Sequence, residues 1–204
     1  MKTATPLSST SPTGEPAWDI AKLFPNQGYW SEEEYLELNG NRLVEFTNGQ
    51  IEVLSIPTDL HQAIVAELFE AILLFTRAGR LGTVRFAPLR LKIAQGKFRE
   101  PDVMFLATAH DQQRHEEYWN GADLVMEVVS DDDRRRDLET KRLEYAQAHI
   151  PEYWIVDPQQ KQITVLTLAN ETYQVHGTFT EGQTATSKLL SGFEVAVTDI
   201  FAAA

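Results

Sequence analysis

An acidic residue inside an apolar strand places the strongest constraint on the fold of this sequence. Glu127 lies within the run LVMEVV at positions 124–129, and Asp102 follows Pro101 at the start of a second apolar run. A buried carboxylate is costly unless it meets a cation or several hydrogen-bond donors. The two acids are 127 − 102 = 25 positions apart, which leaves room for a strand, an excursion and a returning strand. We therefore expect Asp102 and Glu127 to lie side by side on neighbouring strands.

This pair of carboxylates predicts a divalent-metal site. Two carboxylates, water and a phosphate oxygen form the oxygen-rich shell that Mg²⁺ prefers, and Mn²⁺ takes similar ligands. Singly, each acid has a structural explanation, because Asp102 could cap a turn and Glu127 could pair with an arginine. Together, the two acids favour a site in which Asp102 and Glu127 hold Mg²⁺, with Mn²⁺ as a second possibility.

The composition indicates one soluble globular domain. The chain has 204 residues, of which 43% are hydrophobic. Residues 1–16, rich in Ser, Thr and Pro, predict a disordered tail ahead of a single domain over residues 17–204. Neither a membrane span of about 20 apolar residues nor a signal core is present, so we expect a cytoplasmic location and no membrane partner. The absence of cysteine excludes disulfides and Cys-ligated metals.

The charge is unevenly distributed along the chain. A formal net charge of −12 argues against indiscriminate coating of nucleic acid, which requires a dense basic surface. Residues 71–99, however, contain no Asp or Glu. The basic residues in this segment, which we call the basic strip, are Arg77, Arg80, Arg85, Arg90, Lys92, Lys97 and Arg99. A phosphate-contacting track and a set of solvated helix and strand surfaces explain the strip about equally well.

The hydrophobic pattern predicts an α/β fold with an N-terminal β-hairpin. Asn48-Gly49 between residues 42–47 and 50–54 is a strong hairpin signal. Ser31 and Glu34 form a capping box that opens a short helix. The spacing of apolar residues predicts a long helix over 61–77 and a second helix over 137–150. The predicted strands are residues 83–93, 102–107, 122–130, 153–156, 162–168 and 172–179.

Lys141 borders the apolar arc of the second predicted helix. At about 100° per residue it falls between Tyr145 and Ala148 on the helical wheel, near Leu138. From this position its ammonium could reach the two carboxylates, or its stem could run along apolar neighbours to solvent. In the first case Lys141 would be a general base or a charge stabiliser for phosphodiester cleavage.

Other acids and histidines are weaker candidates. Glu45, in the middle of a hairpin strand, is either a third acid near the metal or an exposed hairpin glutamate. His61 opens the long helix, where the helix dipole disfavours an imidazolium, so we expect a neutral core or capping histidine. His110 and His115 lie in a polar stretch and are expected to be solvated rather than zinc ligands.

Over residues 31–168 the sequence resembles the Uma-type restriction endonuclease family, which belongs to the PD-(D/E)XK nuclease superfamily. The resemblance rests on Pro101-Asp102, Glu127 and the segment from Tyr145 through IPEYWIVD at 150–157. Further matching positions are Glu45, His61, Ser130, Asp137 and Lys141. It implies a restriction-endonuclease-like mixed sheet flanked by helices, Mg²⁺-dependent hydrolysis of DNA phosphodiester bonds, and a homodimer.

The sequence departs from the family pattern at several positions. The superfamily lysine normally stands two positions after the acid, where this chain has Val129, so the resemblance leaves Lys141 as a migrated replacement. Asp131-Asp132-Asp133 stands where the family usually has proline and small hydroxyl residues, and His149 stands where glycine is common. The alternative to an active nuclease is therefore a catalytically silent nuclease-fold module acting in oligomer assembly or nucleic-acid binding.

Overall fold

The computed structural model describes residues 24–38, 42–130 and 134–202. The predicted tail over 1–16 and the segment Asp131–Asp133 lie outside the described residues. The helices are α1 (Glu32–Leu36), α2 (Asp59–Gly79), α3 (Lys141–Gln147) and α4 (Val197–Ala202), with a 3-10 helix at Thr108–Gln113 and a π-helical turn at Arg136–Thr140. The first strands are β1 (Val44–Thr47), β2 (Gln50–Val53), β3 (Gly82–Phe86), β4 (Arg90–Ala94), β5 (Lys97–Arg99), β6 (Val103–Ala107) and β7 (Tyr118–Trp119). The remaining strands are β8 (Leu124–Val128), β9 (Glu152–Asp157), β10 (Gln162–Ala169), β11 (Thr172–Thr180), β12 (Thr184–Thr186) and β13 (Glu194–Ala196).

A six-stranded mixed sheet forms the centre of the molecule, in the order β11-β10-β9-β8-β6-β3. Its central strands β8 and β9 are parallel, and its other neighbours are antiparallel. A five-stranded sheet in the order β2-β1-β5-β4-β7 carries the N-terminal hairpin, and β12 pairs with β13. The predicted mixed α/β fold with an N-terminal hairpin is confirmed. Within the described part of the chain, no helix is long and apolar enough to cross a membrane.

The alternation of side chains along β8 determines which face of the sheet holds Glu127. Leu124, Met126 and Val128 pack in the same cluster as the buried face of α2, whereas Val125 and Val129 pack in a second cluster with Tyr145 of α3. Because successive residues of a strand point to opposite faces, Glu127 shares the face of Val125 and Val129. The acid is therefore directed toward α3.

The long helix α2 begins and ends with recognisable caps. The Thr58 side chain accepts the backbone N–H of His61, and Arg80 closes the helix in the left-handed conformation, with φ 52°. The prediction of a helix over 61–77 is correct in its core and two residues short at each end. The predicted turn Asn48-Gly49 also has positive φ at both positions, as this hairpin type requires.

The predicted strand over 83–93 is wrong, because it forms two strands in different sheets. The break contains Pro88, and β3 before it joins the central sheet while β4 after it joins the five-stranded sheet. A proline has no N–H to donate to a strand ladder, so this residue argues against one continuous strand. Strands β5 and β7, the 3-10 helix and the C-terminal elements β12, β13 and α4 were not predicted.

Candidate active site

A cleft of about 580 Å³ opens where the end of the N-terminal hairpin, the start of α2, the start of β6 and the end of β8 meet. Residues 54–58, which connect β2 to α2, line one part of the cleft, and Arg136 and Asp137 of the π-helical turn line another. Side chains from these elements that bear titratable groups line it: Glu52, His61, Glu100, Asp102, Glu127, Arg136, Asp137 and Lys141. The cleft thus brings together Asp102, Glu127 and Lys141, which lie far apart in the sequence.

Asp102 and Glu127 lie opposite each other across two antiparallel strands. Val103 pairs with Met126, so continuing the register by one position sets Asp102 against Glu127. Asp102 Oδ2 accepts the backbone N–H of Val128 at 2.8 Å. The side-by-side arrangement expected from the sequence is therefore present, and the first peptide after Glu127 fixes the Asp102 carboxylate.

Lys141 reaches the acids from the first residue of α3. Its Nζ lies 2.9 Å from Glu127 Oε2 and 3.1 Å from Asp137 Oδ1, and the side chain is buried. Burial lowers the pKa of Lys141, but the charges of Glu127 and Asp137 raise it by more, so the pKa ends above its ordinary value. The ammonium is therefore held protonated at neutral pH, rather than extended to solvent.

Glu127 is buried and has a partner at each oxygen. Tyr145 donates its hydroxyl to Oε1 at 2.5 Å, and Lys141 contacts Oε2. Burial raises the pKa of Glu127 to about 7; Lys141 opposes this shift, and the charges of Asp102 and Asp137 add to it. A second positive charge beside Asp102 and Glu127 would offset the repulsion among these carboxylates.

Asp137 supports the lysine, a role that the sequence reasoning did not assign. Its Oδ2 accepts the backbone N–H of Ser130 at 3.1 Å and the Ser130 hydroxyl at 3.3 Å, while Oδ1 contacts Lys141. Asp137 and Tyr145 stand four residues before and four residues after Lys141. This i, i+4 spacing places side chains on one helix face and is the signal that would have identified both.

Glu45 is buried, so the alternative of an exposed hairpin glutamate is wrong. Its Oε2 lies 3.3 Å from Arg99 Nε and also pairs with Arg136, and its buried Oε1 has no hydrogen-bond partner among the described residues. Arg136 pairs in addition with Glu52 on β2. These contacts describe a carboxylate that ties the hairpin to the π-helical turn, and a part for Glu45 in catalysis stays a prediction.

His61, expected from the sequence to be a neutral core or capping histidine, lies beside Asp102 in the cleft. Its Nε2 lies 3.3 Å from Asp102 Oδ2. Burial lowers the pKa of His61, but the hydrogen bond and charge of Asp102 raise it by more, so the net shift is upward. By contrast, His110 is half-exposed, as expected, and contacts Asp123 at 2.8 Å.

The basic strip is not a continuous phosphate-contacting track. Arg90 donates to the backbone carbonyls of Leu36 and Leu38, and Lys92 pairs with Glu32. Lys97 and Arg99 both pair with Glu144. Only Arg77, Arg80 and Arg85 are exposed members of the strip. Internal hydrogen bonds and ion pairs therefore engage the four members of the strip nearest Asp102.

The oxygen-rich lining of the cleft fits a hard divalent cation. Asp102 accepts the Val128 N–H and contacts His61 Nε2 through the same oxygen, Oδ2. Asp102 and Glu127 each supply carboxylate oxygens, which are the ligands that hard divalent cations prefer. Over residues 24–38, 42–130 and 134–202, no group of three or more His, Cys, Asp and Glu side chains is arranged to hold a metal. Magnesium usually keeps several waters and takes only one or two protein carboxylates, so a two-carboxylate site suits it.

Comparisons with known proteins agree with this architecture. Residues 32–198 match the model of the Uma2 family, described as "Putative restriction endonuclease". A crystal structure from Anabaena variabilis ATCC 29413, titled as a "putative nuclease belonging to DUF820", superposes with a TM-score of 0.69 at 17% identity, covering 84% of this chain and 97% of that one. No curated protein matches. At that identity the superposition shows a shared fold, and the family match, which spans most of the chain, shows that this chain belongs to the Uma2 family.

Proposed function

We propose that this protein is a metal-dependent endonuclease that hydrolyses DNA phosphodiester bonds, with Mg²⁺ or Mn²⁺ held by Asp102 and Glu127. One observation carries the proposal: two carboxylates and the ammonium of Lys141, 2.9 Å from Glu127, converge in an open cleft. The family description supports the reaction class. A homodimer, which the family resemblance implies, and a cytoplasmic location belong to the same proposal.

Lys141 and Tyr145 have different roles in the proposed reaction. A bound divalent ion would supply charge stabilisation and a water of lowered pKa. Lys141, held protonated by Glu127 and Asp137, stabilises negative charge on the attacked phosphate and orients the attacking water. Its raised pKa makes it a poor proton acceptor at neutral pH, so charge stabilisation is favoured over general-base catalysis. Tyr145 fixes the Glu127 carboxylate.

A catalytically silent module is the second candidate function, and a specific contact favours it. Both oxygens of Glu127 already have protein partners, and a carboxylate satisfied in this way can serve as a purely structural ion pair. In that case the protein would act in oligomer assembly or nucleic-acid binding without turnover. Val129, buried at the usual lysine position, is consistent with either function.

Cleavage assays with a matched pair of variants test the proposal. Plasmid and oligonucleotide DNA, and RNA, are incubated with Mg²⁺, Mn²⁺ or a chelator, using the parent, Asp102→Asn and Glu139→Gln. Asparagine keeps the acceptor for the Val128 N–H, whereas the Glu139 side chain is 66% exposed. We expect metal-dependent cleavage by the parent and Glu139→Gln only, with calorimetric Mg²⁺ or Mn²⁺ binding weakened by Asp102→Asn. A parent inactive with every metal and substrate supports the silent module instead.

A further inference from the structure

The mouth of the cleft carries exposed apolar side chains on residues 53–60, a segment that we call the apolar rim. Val53 is 56% exposed, Ile56 is 72% exposed and Leu60 is 46% exposed, and all three line the cleft. The segment leads from the end of β2 to the first turn of α2. Exposed aliphatic side chains that cluster at one opening indicate a surface that binds a ligand or a partner molecule.

The charge lining the cleft opposes a close approach by many phosphates. Five carboxylates line it (Glu52, Glu100, Asp102, Glu127 and Asp137), against the two cations Arg136 and Lys141 and one histidine, His61. Arg136 is held by Glu45 and Glu52, and Lys141 by Glu127 and Asp137. These cations already neutralise protein carboxylates, so they offer little attraction to a phosphate backbone beyond the reacting phosphate itself.

Duplex and single-stranded DNA place different demands on such a cleft. A duplex presents about one negative charge per 1.7 Å of axis and keeps the faces of its bases stacked out of reach. An unpaired strand exposes apolar base faces, which can pack against aliphatic side chains and bury apolar area, and this contact adds affinity without any phosphate pairing. An apolar rim around an acidic cleft therefore matches unpaired bases better than it matches a duplex backbone.

We infer that the cleft takes DNA whose bases are unpaired, with bases packed against the apolar rim and one phosphate beside Asp102 and Glu127. This inference rests on the proposed function, since it names the substrate class of the same site. Because few phosphates are contacted, binding depends weakly on salt, with log Kd changing by only about one per decade of salt. The preference extends to single strands, flaps and bubbles.

Direct binding measurements test this inference separately from cleavage. A fluorescently labelled oligonucleotide is titrated by anisotropy in Ca²⁺, as a single strand and as its perfect duplex, with the parent, the double variant Ile56→Ser/Leu60→Ser, and Leu74→Ser. Leu74 is 60% exposed on α2 and does not line the cleft, which makes it the matched control. Melting curves check that each variant is folded.

We expect the parent and Leu74→Ser to bind the single strand at least about tenfold more tightly than the duplex, and the double rim variant, which loses apolar contact area, to lose about tenfold for the single strand alone. Equal or tighter duplex binding, or rim variants that bind like the parent, overturns the inference. So does light scattering that shows a dimer in the parent and a monomer in the rim variant, because the rim then contacts a second copy. Cleavage of any DNA is read separately, so an inactive protein that still prefers single strands contradicts the proposed function alone.

Discussion

Lys141 Nζ lies 2.9 Å from Glu127 Oε2, and both side chains are buried beneath the cleft. The lysine comes from the start of α3, whereas the acid comes from the middle of the central sheet. Removing one member of a buried ion pair leaves the other as an uncompensated charge. The contact therefore couples the stability of the sheet to the position of α3, whatever the catalytic role of the pair.

The first prediction is that Lys141 and Glu127 are energetically coupled. Lys141→Met leaves Glu127 and Asp137 without their shared ammonium, so we expect the free energy of unfolding to fall by roughly 3 kcal/mol. In the double variant Lys141→Met/Glu127→Gln the loss should be smaller than the sum of the single losses by at least about 1 kcal/mol. Urea unfolding without metal measures all four proteins. Losses that simply add would show that the contact contributes nothing.

The second prediction concerns pH and Glu100, the acid two positions before Asp102. Burial raises the pKa of Glu100 to about 7, while the hydrogen bond from Val44 N–H and the charge of Arg90 oppose the shift. Since the folded pKa lies above the unfolded value of 4.5, the folded state binds more protons between these values. The favourable contribution of this group is complete below about pH 4.5 and is lost as the pH rises through 7.

Glu100→Gln removes this titration and keeps an acceptor for the Val44 N–H. We expect the free energy of unfolding of the variant, relative to the parent, to increase between pH 5 and pH 8 by up to about 3 kcal/mol. Glu139→Gln, at an exposed position, is the control and should change little. Urea unfolding at the two pH values decides the matter. A difference between variant and parent that does not change with pH would contradict the raised pKa.

The third prediction separates two glutamates that hold the same arginine. Glu45 and Glu52 both pair with Arg136, but the Glu45 side chain is 1% exposed and the Glu52 side chain is 59% exposed. We expect Glu45→Ala to lower the free energy of unfolding by roughly 3 kcal/mol, because Arg99 and Arg136 lose a buried counter-ion. Glu52→Ala should cost less than about 1 kcal/mol. Chemical unfolding of both variants provides the measurement, and equal losses would contradict the burial argument.

Much of the site follows from strand and helix periodicity. The apolar run around Glu127 and the Pro101-Asp102 step predict two acids on adjacent strands, and the β6–β8 register confirms that arrangement. The hairpin at Asn48-Gly49 and the core of α2 also follow from local signals. These features depend on residues close in sequence or on one repeating pattern, which is why a single sequence is enough to find them.

Other features depend on contacts between distant segments and could not be predicted. The basic strip looks free in the sequence, yet Lys97 and Arg99 pair with Glu144, some 45 residues later. The π-helical turn at Arg136–Thr140 changes the rotation per residue just before Lys141. A helical wheel drawn at about 100° per residue therefore does not predict the contact of the Lys141 side chain with Glu127. The hydrogen bond between Tyr145 and Glu127 likewise joins two elements whose approach is set by packing.

The last prediction tests what Lys141 does in catalysis. If it stabilises negative charge, Lys141→Met should reduce cleavage by on the order of 10²- to 10³-fold, measured at a temperature where melting curves show the variant to be folded. Arg142→Met is the control: Arg142 is the next residue on α3, and it contacts the Tyr173 carbonyl rather than the acids.

Lys141→Arg distinguishes the charge from the proton-transfer role. Arginine keeps the positive charge but cannot act as a base, because it does not lose its proton in proteins. The raised pKa of Lys141 favours a permanent charge, so we expect Lys141→Arg to recover at least about tenfold of the rate lost in Lys141→Met. If arginine is as inactive as methionine, although Mg²⁺ binding measured by calorimetry is intact, charge alone is insufficient and Lys141 acts by proton transfer. If Lys141→Met cleaves DNA as fast as the parent while Asp102→Asn does not, the metal site stands and Lys141 is only a structural partner of Glu127.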